Sequence, residues 1–368
     1  MTAKTKYSLK LIFGSLIKND LAIEGAKTLP WWVATIMYVI GTFIPVIPIM
    51  VNASKTYGAS FVSSNVYDYD QALVSCGVEL KTEHYLDLRI EESKLLAYEF
   101  NSETNEFDKL REQTWVEKKD LEPIASYDRE FEGKTTRALN VYYTDRPTSG
   151  KQNSVSTLIT AIESQTYVLG TNRIYDAEVD TEVDAKKGVY IPSYLILYKD
   201  GLYSKIYKTN TTTAASSTYG GLDWKHADFT NLLDRVVMVD GIEANLNNRR
   251  YINASFANWK VIFNDCYKNQ KVNNFWMTSG LYYGIYLILG VFMGLMMFLL
   301  TRGKANPNRG LNFWITTKIS WWIDISPGIL AMILGFIWGQ AAGLGYIVLF
   351  GLRTMWLSMR SLSPAQNQ

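Results

Sequence analysis

Apolar residues are bunched towards the two ends of the chain, and polar ones fill the middle. Trp31 to Val51, "WWVATIMYVIGTFIPVIPIMV", is 21 residues without a charge, and Phe275 to Leu300 is 26 more. Each is long enough to cross a hydrocarbon core of about 30 Å. A third block, Phe313 to Ser358, has 46 residues, too many for one span and enough for two joined at the Gly-rich stretch Gly335 to Gly345. The pattern predicts four transmembrane helices, over 31–51, 275–300, 313–338 and 341–358, with a large insert, 52–274, between the first and second. Ahead of the first span, Leu9, Ile12, Phe13, Leu16 and Ile17 recur at helical spacing, so segment 1–30 is expected to hold an amphipathic helix. Such a helix either lies on the inner leaflet or docks on a partner or a cytoplasmic loop.

Within the insert the pattern mixes periods. Ala138 to Tyr143, "ALNVYY", reads as a strand, whereas Asp228 to Val239 and Ser255 to Lys268 read as helices. The fold class expected is therefore an α+β membrane protein, its α+β domain carried between membrane helices. The clearest local signal is "SYLILYKDGLYSKIY". A type I′ turn at Asp200-Gly201 would set Tyr198 opposite Tyr203 and Tyr194 opposite Tyr207 on one face, with Leu195 and Ile206 on the other. That tyrosine face is either the edge of a core or an aromatic ligand-binding platform on which a sugar ring could stack. Upstream, Asp176, Glu178, Asp180, Glu182 and Asp184 fall at every second residue. On a strand they would share one face, either solvated or holding a loose divalent metal through Asp176, Glu178 and Asp180. An EF-hand is excluded, because Thr181 and Lys187 stand where that loop needs glycine and glutamate.

Charge sets the orientation. Lys4, Lys6, Lys10, Lys18 and Lys27 precede the first span; Arg302, Lys304 and Arg309 occupy the loop 301–312; Arg353 and Arg360 lie at the end of the last span and in the tail 359–368. The insert holds 26 Lys plus Arg against 32 Asp plus Glu. Basic flanks inside and an acidic insert outside predict a multi-pass plasma-membrane protein with both termini cytoplasmic. The first apolar run starts late and is too long for a cleavable signal, so it is expected to stay as an anchor. Cys76 and Cys266, near the two ends of the insert, either pair as a disulfide on the oxidising side or remain buried thiols.

Chemistry-bearing motifs are few. The two histidines, His84 and His226, are far apart, and no Walker-type loop, nucleotide fingerprint or nucleophile elbow occurs. Asp223, Lys225 and His226 in "GLDWKHAD" read as a polar turn. The chain is expected not to be an enzyme, to need no cofactor and to have no nucleic-acid partner.

The feature that stands out is Asp324 in an otherwise apolar run. A carboxylate at the middle of a membrane helix costs about 2.5–3.5 kcal/mol on insertion scales. Asn312, Thr316, Ser320 and Asp324 recur at every fourth residue and are joined by Thr317, a polar stripe that should face other helices or water. Either the third span starts near Phe313 and kinks at Pro327, or 313–324 lies on the membrane surface and the span starts at Ser326, as an N-cap followed by proline. Ser320 or Ser326 would be the hydrogen-bond partner of Asp324.

Lys318, Trp321, Trp322, Ser326 and Pro327, followed by the aliphatic run Ile329 to Leu334, resemble a bacterial family of Yip1-related integral membrane proteins. Members carry a domain of unknown function and are often described as maltodextrin-utilisation proteins. The resemblance covers the membrane parts, and it implies an accessory role beside a sugar transporter with no established catalytic activity. The layout of one span, a large ectodomain and three more spans is also similar to mechanotransmitting ABC permeases, although the loop 301–310 is short for gripping an ATPase. Gly280 and Gly284, Gly290 and Gly294, and Gly335, Gly339 and Gly343 are spaced for close helix packing. Besides the lipid bilayer, a membrane-protein partner is expected, met through these helices or through the ectodomain.

Overall fold

The computed structural model describes residues 3–62, 68–109, 121–131, 133–145, 155–183, 188–208, 214–217, 222–304 and 306–362. They form two compact units, one of residues 1–56 and 273–368 and one of residues 57–272. The chain is mixed α+β, and among the described residues three helical stretches are long and apolar enough to cross a membrane: Trp31–Ser54, Arg249–Leu300 and Phe313–Ile337.

The helical unit begins with α1 (Ala3–Gly14) and α2 (Asn19–Thr28), then α3 (Trp31–Phe43) and α4 (Val46–Ser54). The amphipathic stretch is thus split by a turn at residues 15–18. Leu11 is buried, whereas Phe13 and Ile17 are 65% and 82% exposed. The joint between α3 and α4 falls at Pro45, which has no N–H to return to the carbonyl of Gly41.

The second unit starts with α5 (Tyr69–Thr82) and an antiparallel sheet of β1 (Leu86–Glu91), β2 (Lys94–Asn101) and β3 (Glu106–Lys109). Next come β4 (Ala125–Phe131), β5 (Lys134–Thr144), α6 (Val155–Ser164), β6 (Tyr167–Val168), β7 (Val189–Tyr190), β8 (Ser193–Tyr198), β9 (Gly201–Tyr207), β10 (Ala214–Ser217), β11 (Leu222–Asp223) and α7 (Leu232–Val237). The main sheet runs β10-β9-β8-β5-β4, with β11 also paired to β9. Only β5 and β8 are parallel in it, and such a pair needs a crossover, which here includes α6. One face of the sheet, with Val141, Leu195, Leu197 and Ile206, packs into a core shared with Leu73, Cys76, Trp259 and Cys266. The other, with Tyr142, Tyr194, Ile196, Tyr198 and Tyr207, lies under Val155, Leu158 and Ile162 of α6. Both faces are therefore covered, and every residue of β8 is buried.

Helix α8 (Arg249–Leu300) runs 52 residues, 249–272 in the second unit and 273–300 in the helical one. It is followed by α9 (Phe313–Ile323), α10 (Ile325–Ile337) and α11 (Ala342–Arg360). Helices α9 and α10 form one 25-residue apolar stretch, broken at Asp324. The helical stretch starts at Phe313, as both arrangements have it. The break comes at Asp324 instead of Pro327, and Ser326 is not an N-cap: it is the second residue of α10 and Pro327 the third.

The hairpin differs from expectation by two residues. Tyr198 pairs with Gly201 and Ile196 with Tyr203, so the turn is Lys199-Asp200. A shift of two leaves the faces unchanged. The cause lies with β11: a Cβ at Gly201 would run into the backbone carbonyl of Leu222, so this glycine serves a close backbone approach, and it does not have a positive φ.

Candidate functional site

The buried polar groups of the helical unit converge on the break between α9 and α10. Pro327 has no N–H, so the carbonyl of Ile323 four residues earlier is left without a helical donor. Arg353 of α11 supplies one, its Nη1 donating to Ile323 O at 2.9 Å and also to Ser326 Oγ. Its Nη2 donates to the carbonyl of Ser15 at the end of α1. A single guanidinium thus ties three segments together, which its forked, planar donors allow and an ammonium would not.

Asp324 lies beside this fork and is fully buried. Its Oδ1 accepts from the hydroxyl of Tyr346 in α11, and its Oδ2 has no hydrogen-bond partner among the described residues. That oxygen rests against Gly41, where any Cβ would collide with it, and Gly328 in turn lies against the carbonyl of Gly41. Two glycines therefore let α3 and α10 touch backbone to backbone beside the carboxyl. Arg353 interacts with Asp324 electrostatically, although the two make no direct ion pair among the described residues.

The rest of the stripe makes other bonds. Thr316 and Thr317 are buried and donate back to Phe313 O in their own helix. Ser320 Oγ donates to Gly290 O at 2.8 Å, not to Asp324, and Ser326 is engaged by Arg353. The expected partners of Asp324 are corrected to Tyr346, with Arg353 nearby. Tyr38 stacks flat on Trp321 at 4.8 Å. Its hydroxyl reaches Tyr286 O at 3.0 Å and accepts from Gly290 N at 3.2 Å. Lys318 donates to Leu29 O just past α2, a favourable place for a cation.

In the second unit the predicted sites take other forms. Tyr194, Tyr198 and Tyr207 are buried and Tyr203 is partly so, so the tyrosine face is a core and no open platform. Glu163 of α6 closes it, its carboxylate accepting from Tyr194 Oη at 2.6 Å and Lys205 Nζ at 2.5 Å. Partial burial works to raise the Glu163 pKa, but the hydrogen bonds from Lys205 and Tyr194 outweigh it and hold the carboxyl below its ordinary value.

The acidic alternation is not a strand. Residues 176–183 form successive turns. Asp180 is bound by Arg173 and by the backbone N–H of Asp176 at 2.8 Å, and Asp176 Oδ1 accepts from Glu178 N. Among the described residues no three acidic, His or Cys side chains come together at metal spacing; Asp184 lies outside them. Cys76 and Cys266 are both buried and free, which corrects the disulfide alternative. Burial pushes both thiol pKa values well up. His226 Nε2 meets Asn269 Oδ1 at 2.8 Å, and Asn269 donates to Asp223 Oδ2.

No family model, curated protein or solved structure matches this chain.

Proposed function

We propose that the chain is a four-span, non-enzymatic membrane protein that serves as a partner subunit of a membrane transport assembly, with both termini cytoplasmic. One observation carries the partner reading. The apolar stretch of α8 is only 22% buried within the structure, against 56% for each of the other two candidate spans. Its outward face includes Gly280 and Gly284, which among the described residues have nothing within 4 Å of a would-be Cβ, whereas Gly290, Gly294 and Gly343 are filled by Tyr38, Thr317 and Tyr282. Glycine facing lipid wastes packing surface; glycines four apart on an open face suit a second helix. Helix α11 supports a fourth span: its 19 residues reach about 28 Å, and Arg353 within it has backbone carbonyls to satisfy it.

Two measurements test this. Cysteines at Lys10, Lys304 and Gln366 should escape an impermeant maleimide on intact cells while one at Glu103 is labelled; labelling at Gln366 alone would overturn the fourth span. Purification in mild detergent should recover a membrane partner, lost with Gly280→Leu plus Gly284→Leu. An ATPase in that complex would favour a permease-like role, and a sugar permease the accessory role.

A further inference from the structure

A groove of about 530 Å³ opens on the surface of the helical unit between the α1–α2 turn, α10 and α11. Its walls are apolar, including Leu16, Ile17, Leu330, Leu352 and Trp356, and its polar groups are Ser326 and Arg353. Among the described residues no acidic side chain lines it. Arg353, Trp356 and Arg360 lie three and four residues apart, along one face of α11. The guanidinium of Arg360 stands 5.9 Å from the ring of Trp356. Lys18 follows Ile17 directly in the chain. An apolar trough with one arginine in its wall, a second beside its Trp356, and no carboxylate among the described residues that line it has the charge and shape for an amphiphile with a negative head.

Arg353 is suited to this role because its structural bonds leave donors over. A guanidinium has five N–H groups, and three hydrogen bonds are made to Ile323 O, Ser326 Oγ and Ser15 O. Asp324, the carboxyl that acts electrostatically on Arg353, is fully buried and bonded to Tyr346, and it does not line the groove. We propose that this groove is a binding site for one anionic phospholipid, an acyl chain lying along Leu330 and Leu352 and the phosphate meeting Arg353 and Arg360. The inference goes beyond the partner-subunit reading, needing only that the helical unit lies in a bilayer.

The test uses the full chain, delipidated in detergent and titrated with dioleoylphosphatidylglycerol or dioleoylphosphatidylcholine. Bound lipid is counted by native mass spectrometry and stability is followed by thermal unfolding. One molecule of the anionic lipid should be retained in preference to the neutral one and should raise the unfolding temperature. Arg360→Gln, at an exposed position, should weaken that preference about fivefold. Leu330→Trp, which fills the trough and leaves both arginines in place, should abolish tight retention. Equal retention of the two lipids, or a preference untouched by both variants, overturns the site. Retention of neither lipid would overturn it and count against the bilayer placement as well.

Discussion

The hydroxyl of Tyr346 donates to Oδ1 of Asp324, and the other carboxylate oxygen rests against Gly41. A buried carboxyl with one specific donor behaves differently from one with several. Its neutral amide analogue can keep the bond, whereas loss of the donor leaves an unsatisfied group in the core.

Asp324→Asn should therefore keep the fold, changing stability by no more than about 1 kcal/mol, while Tyr346→Phe should cost about 1–3 kcal/mol. The double variant Asp324→Leu, Tyr346→Phe should be less harmful than Asp324→Leu alone, since both polar partners are then gone. Thermal unfolding in detergent reads all four. A stable Asp324→Asn protein that no longer retained its partner would mean that the charge is functional.

The glycines of α8 divide into two classes with opposite expectations. Gly290→Ala places a methyl into the phenol of Tyr38 and should destabilise by about 1–3 kcal/mol. Gly284→Ala meets open space and should leave the isolated chain unchanged or slightly more stable. Equal effects at the two positions would remove the distinction on which the partner face rests.

Acid should loosen α6 from the sheet. The folded pKa of Glu163 lies below its unfolded value, so its contribution is present above the unfolded value and is lost as pH falls through the folded one. Limited proteolysis of the full chain should show cleavage near α6 rising at low pH, and Glu163→Gln should flatten that dependence. A wild-type profile identical to that of Glu163→Gln would refute the assignment.

Both cysteines should be silent in the native protein. Buried, with their thiol pKa values pushed up by desolvation, they should resist maleimide until denaturant is added. Electrophoretic mobility should not change with reductant. Labelling of the folded protein, or a reductant-sensitive shift, would contradict the free, buried state.

The apolar runs were legible because membrane spans and buried strands announce themselves in composition, and the tyrosine and aliphatic faces of β8–β9 followed from a period of two. What escaped depended on particular side-chain and backbone contacts that a hydrophobic period does not encode. The turn moved by one residue, and the pairing by two, because Gly201 is needed by Leu222, which periodicity cannot reveal. The acidic row looked like a strand because alternation carries no information about Arg173, whose ion pair with Asp180 accompanies the turns. Tyr346 and Arg353, 22 and 29 residues beyond Asp324, gave one usable hint. Pro327 orphans the carbonyl of Ile323, so some donor from elsewhere had to exist.

The phenol of Tyr38, bonded to both the 286 carbonyl and the 290 amide, acts on α8 as a pin in a shaft. Each residue turns a helix by about 100°, so a slip of one position would swing Gly290 out from under the ring and bring a larger neighbour in. Gly280 and Gly284 lie about 80° and 120° around the shaft from Gly290. The bearing of the open glycine face is thereby indexed by a contact on another side of the same helix, and whatever docks there meets a surface already set in rotation.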